Sequence, residues 1–552
     1  MVLLVIFLTG KYILEIQIAN LIEEKIQLPD SSVYQLGFDK LRIKLLDGDI
    51  AVKGFSMARK QPEGETGTSR PGEIYYRLKV PGIDLTGVSL LKILTENKIV
   101  LDSIKIHNPE VSAFYVTGNK SDEGESDTLV PGKDEEIISS FALEKFSIEG
   151  GSFKLYSENP GGPDQRVQIL EINHIDAYVG HILLSFESGL GNIPFLLDKS
   201  EFHFKNIQYD SLKDNQLKVA NSDFTLSDTS LVLRDLTLKP KWNEDELYRH
   251  IPYQTDIFDV SIDSLKIKQV HLQTLINTGN LIIDSIEIFH PQAGVSRNKY
   301  LAKKNKGEVY LPATALARLP LNLTISSCRV INGRIEYREL APPSENPGFI
   351  QFGNLFLSIY NISYDRQVLQ ENPWMEAGFK AKLMDVSGLN ARIRLLLTSP
   401  EDYFEISGTL GSFPAKALNP ALVNLAGASV KSGKIEKTEF QFSGNKFRSL
   451  GELQLDYTDL QLEALRTKEN VKSGFFKWIL KGLTRKQNLP EAAGYRIGAI
   501  YFNRPSDKGF PGYLWKSLQT GIISIVAPIA DQSSRNLKKE NNLEKKRQKK
   551  MK

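Results

Sequence analysis

Hydrophobic and polar residues alternate one by one over many short stretches of this 552-residue chain. Ile104 and Ile106 alternate with polar neighbours, and the same pattern runs through residues 453–458. A period of two residues is typical of a strand that has one buried and one solvated face. Turn sequences such as Asn332-Gly333 separate these stretches. The pattern therefore predicts a mostly β protein built around an antiparallel sheet.

Few stretches favour helices. The spacing of apolar residues predicts short helices over 85–95, 267–277 and 414–425. Two segments rich in Gly, Ser, Pro and acidic residues, 61–72 and 118–136, are predicted to be surface loops.

The chain contains an internal duplication. The segment DSIKIHNP, which begins at Asp102, aligns with DSIEIFHP, which begins at Asp284, within a gapless match that starts at residue 77. The two aspartates are 182 residues apart, and after an interruption the same offset relates Gly151 to Gly333. The copies share their apolar pattern, whereas clusters of acids, bases or metal ligands are not repeated. The duplication therefore indicates a structural repeat and not a duplicated active site.

The repeat divides the chain into regions. The predicted regions are an N-terminal membrane-anchor or amphipathic helix (1–30), β repeat unit 1 (31–215), β repeat unit 2 (216–365), a C-terminal β region (366–470), and a basic amphipathic segment with a disordered Lys-rich tail (471–552).

The N-terminus begins with an unbroken apolar run over residues 1–8, and we expect Leu3, Leu4, Ile6 and Phe7 to contact lipid. Eight helical residues rise only about 12 Å, whereas a bilayer span needs roughly 30 Å. We therefore expect the run to be the outer half of an uncleaved single-pass anchor whose basic cytosolic start precedes it. The alternative is a buried N-terminal helix.

A second membrane-contact candidate lies near the C-terminus. Phe475, Phe476 and Trp478 are interleaved with lysines and an arginine, a pattern typical of a basic amphipathic helix on an anionic membrane surface. Packing against the β region is the alternative. The apolar stretch 514–530 is too short to span a membrane alone and is interrupted by Gly521 and Pro528.

The distribution of charge along the chain limits the classes of partner that it can bind. The net charge of +3 conceals a tail, residues 535–552, that carries nine basic and two acidic residues. A nucleic-acid binder would spread basic charge over its folded body, so no nucleic-acid partner is predicted.

The sole cysteine, Cys328, cannot form an internal disulfide and is interpreted as a packing residue. The sequence has no nucleophile elbow, phosphate-binding loop or HExxH motif. We therefore predict no catalytic residues, no metal and no cofactor.

A succession of motifs in the C-terminal β region resembles the AsmA/TamB-like family of bacterial envelope proteins. The motifs are GTLGSFP at 408–414, LNP at 418–420, SGKI at 432–435 and GELQLDYTDL at 451–460. The two DSIxIxxP segments also resemble strand elements of that family.

This resemblance implies an elongated, curved antiparallel sheet of the repeating β-groove type. It also implies a bacterial inner-membrane location, with a single N-terminal anchor and the bulk of the chain in the periplasm. The implied role is non-enzymatic: an apolar groove shields or conducts phospholipid acyl chains and supports outer-membrane biogenesis. Covering a chain in this way removes a cost of about 0.8 kcal/mol for each exposed CH₂ group.

The predicted groove residues are aliphatic residues of the alternating stretches: Ile104, Ile106, Ile286, Ile288, Val330, Leu395, Leu397, Leu453 and Leu455. For each of them the alternative is a covered core face. The expected partners are phospholipid or a membrane and other envelope proteins. A second functional hypothesis is a structural or protein-binding β scaffold whose interior is filled.

Overall fold

The computed structural model describes residues 34–44, 47–60, 74–89, 92, 96, 98–116, 140–158, 166–185, 199–209, 215–225, 229–242, 244–271, 274–275, 280–303, 307–319, 322–342, 344–465, 485–527, 533–537 and 539. These residues are mostly in strands, with a few short helices, as predicted. The chain forms two compact units, residues 1–236 and 237–552. This division does not coincide with the predicted boundary after residue 215.

The first unit consists of strands in its described part. They are β1 (Tyr34–Gly37), β2 (Lys40–Lys44), β3 (Asp49–Arg59), β4 (Ile74–Thr86), β5 (Lys98–His107), β6 (Glu110–Val116), β7 (Ser140–Glu158), β8 (Arg166–Ser185), β9 (Lys199–Tyr209), β10 (Asn215–Thr225) and the start of β11 (Ser230–Pro240).

The second unit contains the remaining strands. They are β12 (Asp256–Val270), β13 (Leu281–Phe289), β14 (Gln292–Asn298), β15 (Leu323–Leu340), β16 (Gly348–Ser363), β17 (Trp374–Leu383), β18 (Ser387–Leu396), β19 (Phe404–Leu410), β20 (Phe413–Pro414), β21 (Ala428–Gly444), β22 (Arg448–Ala464) and β23 (Gly498–Asn503).

Its helices are α1 (Glu244–His250), α2 (Pro312–Ala317), α3 (Arg366–Glu371), α4 (Asn419–Ala421) and α5 (Phe510–Val526). A 3₁₀ turn (Ala415–Leu418) precedes α4 and a π turn (Leu422–Ala426) follows it, so helical turns occupy the segment predicted as a helix over 414–425. The other two predicted helices begin within strands, because β4 extends to Thr86 and β12 to Val270. Much of the rest of these two segments lies outside the described residues, as do both predicted loops.

The sheet is mixed, which corrects the prediction of a purely antiparallel one. In the first unit β4 pairs antiparallel with β5 and β6, and both of these pair parallel with β7. Parallel pairing requires a long connection that returns the chain to the same end of the sheet.

The same topology occurs 182 residues later. In the second unit β12 pairs antiparallel with β13 and β14, and both pair parallel with β15. The strands β6 and β14 begin and end at positions 182 apart. The register matches as well, since Ile83 opposes Ile106 and Leu265 opposes Ile288. The duplicated sequence therefore folds into duplicated strand pairing.

A kink after β5 and after β13 is the most closely repeated detail. Asn108 and His290 have φ values of 46° and 49°, in the left-handed region. The backbone N–H of Asn108 donates to the carbonyl of Glu149 at 2.8 Å, and that of His290 donates to Ile331 at 2.9 Å. A proline follows each kink, and its missing N–H interrupts the ladder, which resumes at the next residue.

A glycine makes room for each of these prolines. A Cβ placed on Gly333 would lie 2.9 Å from Cγ of Pro291, and one placed on Gly151 would lie 3.1 Å from Cγ of Pro109. Both glycines lie at a β-bulge, where the register between neighbouring strands shifts. The conserved spacing between proline and glycine in the duplicated segments thus has a steric cause.

We expect Gly333→Ala to lower the free energy of unfolding by about 1–3 kcal/mol, because the new methyl overpacks against the Pro291 ring. Chemical denaturation measures the change. Gly388→Ala is the matched control, since nothing lies within 4 Å of a Cβ at that strand position. Adding Pro291→Ala to Gly333→Ala should recover part of the loss; equal stability of the Gly333 and Gly388 variants would contradict the steric explanation.

The main core of the second unit lies between its C-terminal strands and α5. Phe404, which is fully buried, contacts the rings of Phe510 and Tyr513 edge-on at 5.3 and 5.5 Å. Gly521 allows the helix to approach closely, since a Cβ there would lie 2.9 Å from Cβ of Leu453. The apolar stretch that is too short to span a membrane is therefore a helix that covers the sheet.

The same helix protects the last strand. The backbone N–H of Ala499 donates to Oγ of Ser524 at 2.8 Å, and that of Tyr501 donates to Oγ1 of Thr520 at 3.2 Å. An unsatisfied strand edge is a template for pairing with another chain. Hydroxyl groups of α5 thus satisfy two backbone donors of β23.

Candidate apolar binding face

One face of each repeat carries rows of aliphatic and aromatic side chains in register across neighbouring strands. In the first unit one row places Ile83, Ile106 and Ile148 side by side. The next row places Leu85 beside Ile104, and Ile104 beside Phe146.

The second unit repeats these rows. The first row contains Leu265, Ile288, Val330 and Leu357, and the second contains Ile267, Ile286, Cys328 and Ile359. The predicted groove residues Ile286, Ile288 and Val330 are thus neighbours on one face, as Ile104 and Ile106 are in the first unit.

These side chains are half-buried, because each falls between the fully buried and the exposed class. Ile104 and Phe146 pack against a small cluster formed by Val88, Leu101 and Leu143. A residue sealed in a core is almost wholly inaccessible, as Leu453 is at 1% exposure. The repeat face therefore retains apolar surface that an apolar ligand could cover.

The opposite face of the same strands is charged. In the second unit Glu287 accepts hydrogen bonds from Lys268 at 2.9 Å and from Arg329 at 2.5 Å. The hydrogen bond from Lys268, with Arg329 nearby, holds the pKa of Glu287 below its ordinary range despite burial. In the first unit Lys105 forms an ion pair with Glu149 at 2.6 Å. Each repeat therefore separates an apolar face from a polar one.

Cys328 lies within the second apolar row and is half-buried. Burial raises the pKa of its thiol, so the reactive thiolate is disfavoured. This environment agrees with the interpretation of Cys328 as a packing residue.

Four of the predicted groove residues lie elsewhere. Leu395, Leu397, Leu453 and Leu455 belong to the closed core of the second unit and are at most 7% exposed. The reason is that α5 and neighbouring helical turns cover this end of the apolar face. We correct the prediction here: these four residues are core residues, and the candidate face is restricted to Ile104, Ile106, Ile286, Ile288 and Val330.

The predicted membrane-contact residues Leu3, Leu4, Ile6, Phe7, Phe475, Phe476 and Trp478 lie outside the described residues. Within the described part of the chain, no helix is both long and apolar enough to cross a membrane. Among those same residues, no three His, Cys, Asp or Glu side chains are grouped as metal ligands.

The sequence analysis did not predict that α5 packs over the C-terminal strands and closes their apolar core. A signal for it was present, since Leu514, Leu518, Ile522 and Ile525 recur at helical spacing, and all four pack in the core. Their spacing predicts an amphipathic helix, but it does not reveal which surface the helix covers.

Comparison of the chain with protein-family models and with curated protein sequences finds no match.

The Glu287 carboxylate should contribute to stability in a pH-dependent way. Because its folded-state pKa is lowered, its contribution is present above the unfolded-state pKa and is lost as the pH falls through the folded-state value. We expect Glu287→Gln to lower the free energy of unfolding at pH 7 by about 1–2 kcal/mol.

Denaturation of both proteins between pH 7 and pH 3 measures this difference, which should shrink below about pH 4.5. Glu371→Gln is the control, because Glu371 is exposed and forms no ion pair with another described residue. A difference that is constant across this pH range would show that the Glu287 ion pairs do not stabilise the fold.

Proposed function

We propose that this protein is a non-enzymatic envelope protein that shields phospholipid acyl chains on the apolar face of its β repeats, in support of outer-membrane biogenesis. The observation that carries the proposal is the pair of in-register apolar rows, which occur in both repeats and stay half-buried.

The chemistry of the face suits an acyl chain. The rows consist almost wholly of aliphatic side chains, whereas the charged groups point to the other side of the sheet. An acyl chain laid on such rows removes apolar surface from water, at about 25 cal/mol for each Å² buried. A row also runs across strands spaced about 4.8 Å apart, so four neighbouring side chains extend over roughly 14 Å.

The location is part of the proposal. The motifs at 408–460 resemble the AsmA/TamB-like family, which implies an inner-membrane anchor and a periplasmic body. The apolar N-terminal run and the basic aromatic segment around Trp478 support contact with an anionic membrane. Phospholipid is therefore the proposed partner.

The alternative function is an envelope scaffold with a filled interior that binds other proteins. The closed core under α5 favours this alternative for the C-terminal strands, where Leu453 and Ile500 leave no accessible surface. The two functions differ in what covers the repeat face.

Native mass spectrometry of the detergent-free protein distinguishes them. We expect the full chain to retain phospholipid, and we expect the Ile288→Glu, Val330→Glu double variant to retain several-fold less, because a carboxylate on the apolar face is costly to desolvate. Ser285→Glu is the matched control, since Ser285 alternates with Ile286 and opposes Lys268 on the neighbouring strand.

Circular dichroism checks that the variants keep their β structure. A lipid-free mass for the unmodified protein would favour the scaffold. Equal lipid retention by the double variant and the Ser285 control would place any bound lipid away from these rows.

A further inference from the structure

A cleft of about 920 Å³ lies in the second unit, on the polar side of the C-terminal strands. Six strands that pair in succession, β16 to β19, β21 and β22, form its floor. The reverse side of β17 to β19, β21 and β22 is the closed apolar core, and the reverse side of β16 carries Leu357 and Ile359 of the candidate acyl-chain face. The cleft therefore lies on the opposite side of the sheet from that face. Its volume lies within the range of small-molecule sites, about 300–1,000 Å³.

Side chains in register line the floor in two rows. One row contains Arg392, Ser407, Gln441 and Glu452 on successive strands. With strands about 4.8 Å apart, six of them make a floor about 24 Å wide, which is long enough for a chain-like ligand.

The side chains that line the cleft carry equal numbers of positive and negative charges. The other row contains Lys380, Asn390, Thr409 and Glu439, so the two rows together have two cationic and two anionic groups. Two of these charges are also neutralised locally. Arg392 pairs with Glu376 at 2.7 Å, and Glu439 pairs with Lys437 at 2.8 Å. The balance disfavours polyanions, which need an excess of basic groups.

The centre of the floor is neutral and can form hydrogen bonds. The side chains of Asn390, Ser407, Thr409 and Gln441 form no hydrogen bond with any other described residue. Amide and hydroxyl groups both donate and accept hydrogen bonds, so their ligand must also present both kinds of group. Hydroxyl groups satisfy this requirement, whereas an acyl chain does not.

Apolar side chains stand at the two margins of the cleft. Phe356 is 46% exposed and Ile497 is 55% exposed. An aromatic ring offers a flat apolar surface on which a C–H-rich ligand face can pack. A sugar ring combines such a face with hydroxyl groups around its edge.

We propose that this cleft binds a neutral, linear glycan, with Asn390 and Gln441 bonding its hydroxyl groups and Phe356 packing against a sugar ring. The site does not depend on the acyl-chain function, because the two surfaces are on opposite sides of the strands. An extended peptide would be expected to pair along a strand edge and not to lie across six strands.

Isothermal titration of the full chain with chitohexaose and with maltohexaose tests the proposal. We expect at least one of these neutral hexasaccharides to bind, and we expect Asn390→Ala and Gln441→Ala each to weaken that binding about three- to tenfold through lost hydrogen bonds. Phe356→Ala should weaken it similarly, whereas Phe356→Tyr should retain it.

Gln461→Ala is the matched control, because Gln461 is exposed on β22 but outside the cleft. Absence of binding by both glycans at millimolar concentration would overturn the proposal, as would binding that the Gln461 variant loses as strongly as the Gln441 variant. Preferential binding of a sulfated glycan such as heparin hexasaccharide, or of an unstructured peptide, would also overturn it.

Discussion

The apolar side of a sheet must be covered, and this chain covers it differently along its length. Over the C-terminal strands, α5 packs so closely that Gly521 has no room for a Cβ beside Leu453. Over the repeats, the rows that include Ile288 and Val330 stay half-buried among the protein's own residues. The same alternating pattern thus produces a sealed core in one place and a half-buried apolar face in another. The proposed function depends on that contrast.

The kinks impose the same steric constraints on both copies of the repeat. Pro291 interrupts the ladder, the backbone of His290 turns into the left-handed region, and Gly333 leaves space for the proline ring. The first copy has the equivalent arrangement, with Asn108 at the left-handed position. Asparagine and histidine are both enriched in that conformation, so the two copies keep the backbone geometry while their side chains differ. The repeated proline and glycine positions therefore have a steric cause.

The sequence predicted the strands because a period of two is a local signal. Ile104 and Ile106, and Ile286 and Ile288, lie on one face as their alternation indicated. It could not predict the parallel pairing of β5 and β6 with β7, because a returning connection and a hairpin leave the same local pattern. Nor could it separate Val330 from Leu453, since both alternate with polar residues and only the distant helix α5 distinguishes them. Local periodicity identifies the apolar face of a strand, but not the element that packs against that face.

The two sides of the C-terminal strands show how one pattern can serve two purposes. The alternation that directs Phe442 and Leu453 into the core necessarily directs Gln441 and Glu452 to the opposite side. Because α5 and the neighbouring helical turns cover the apolar side, the polar side can form a cleft without loss of core packing. In the repeats the apolar side stays half-buried, and the polar side carries ion pairs such as Glu287 with Arg329. The two proposed surfaces thus lie on opposite sides of the sheet, and β16 contributes Leu357 to the apolar rows and Phe356 to the cleft.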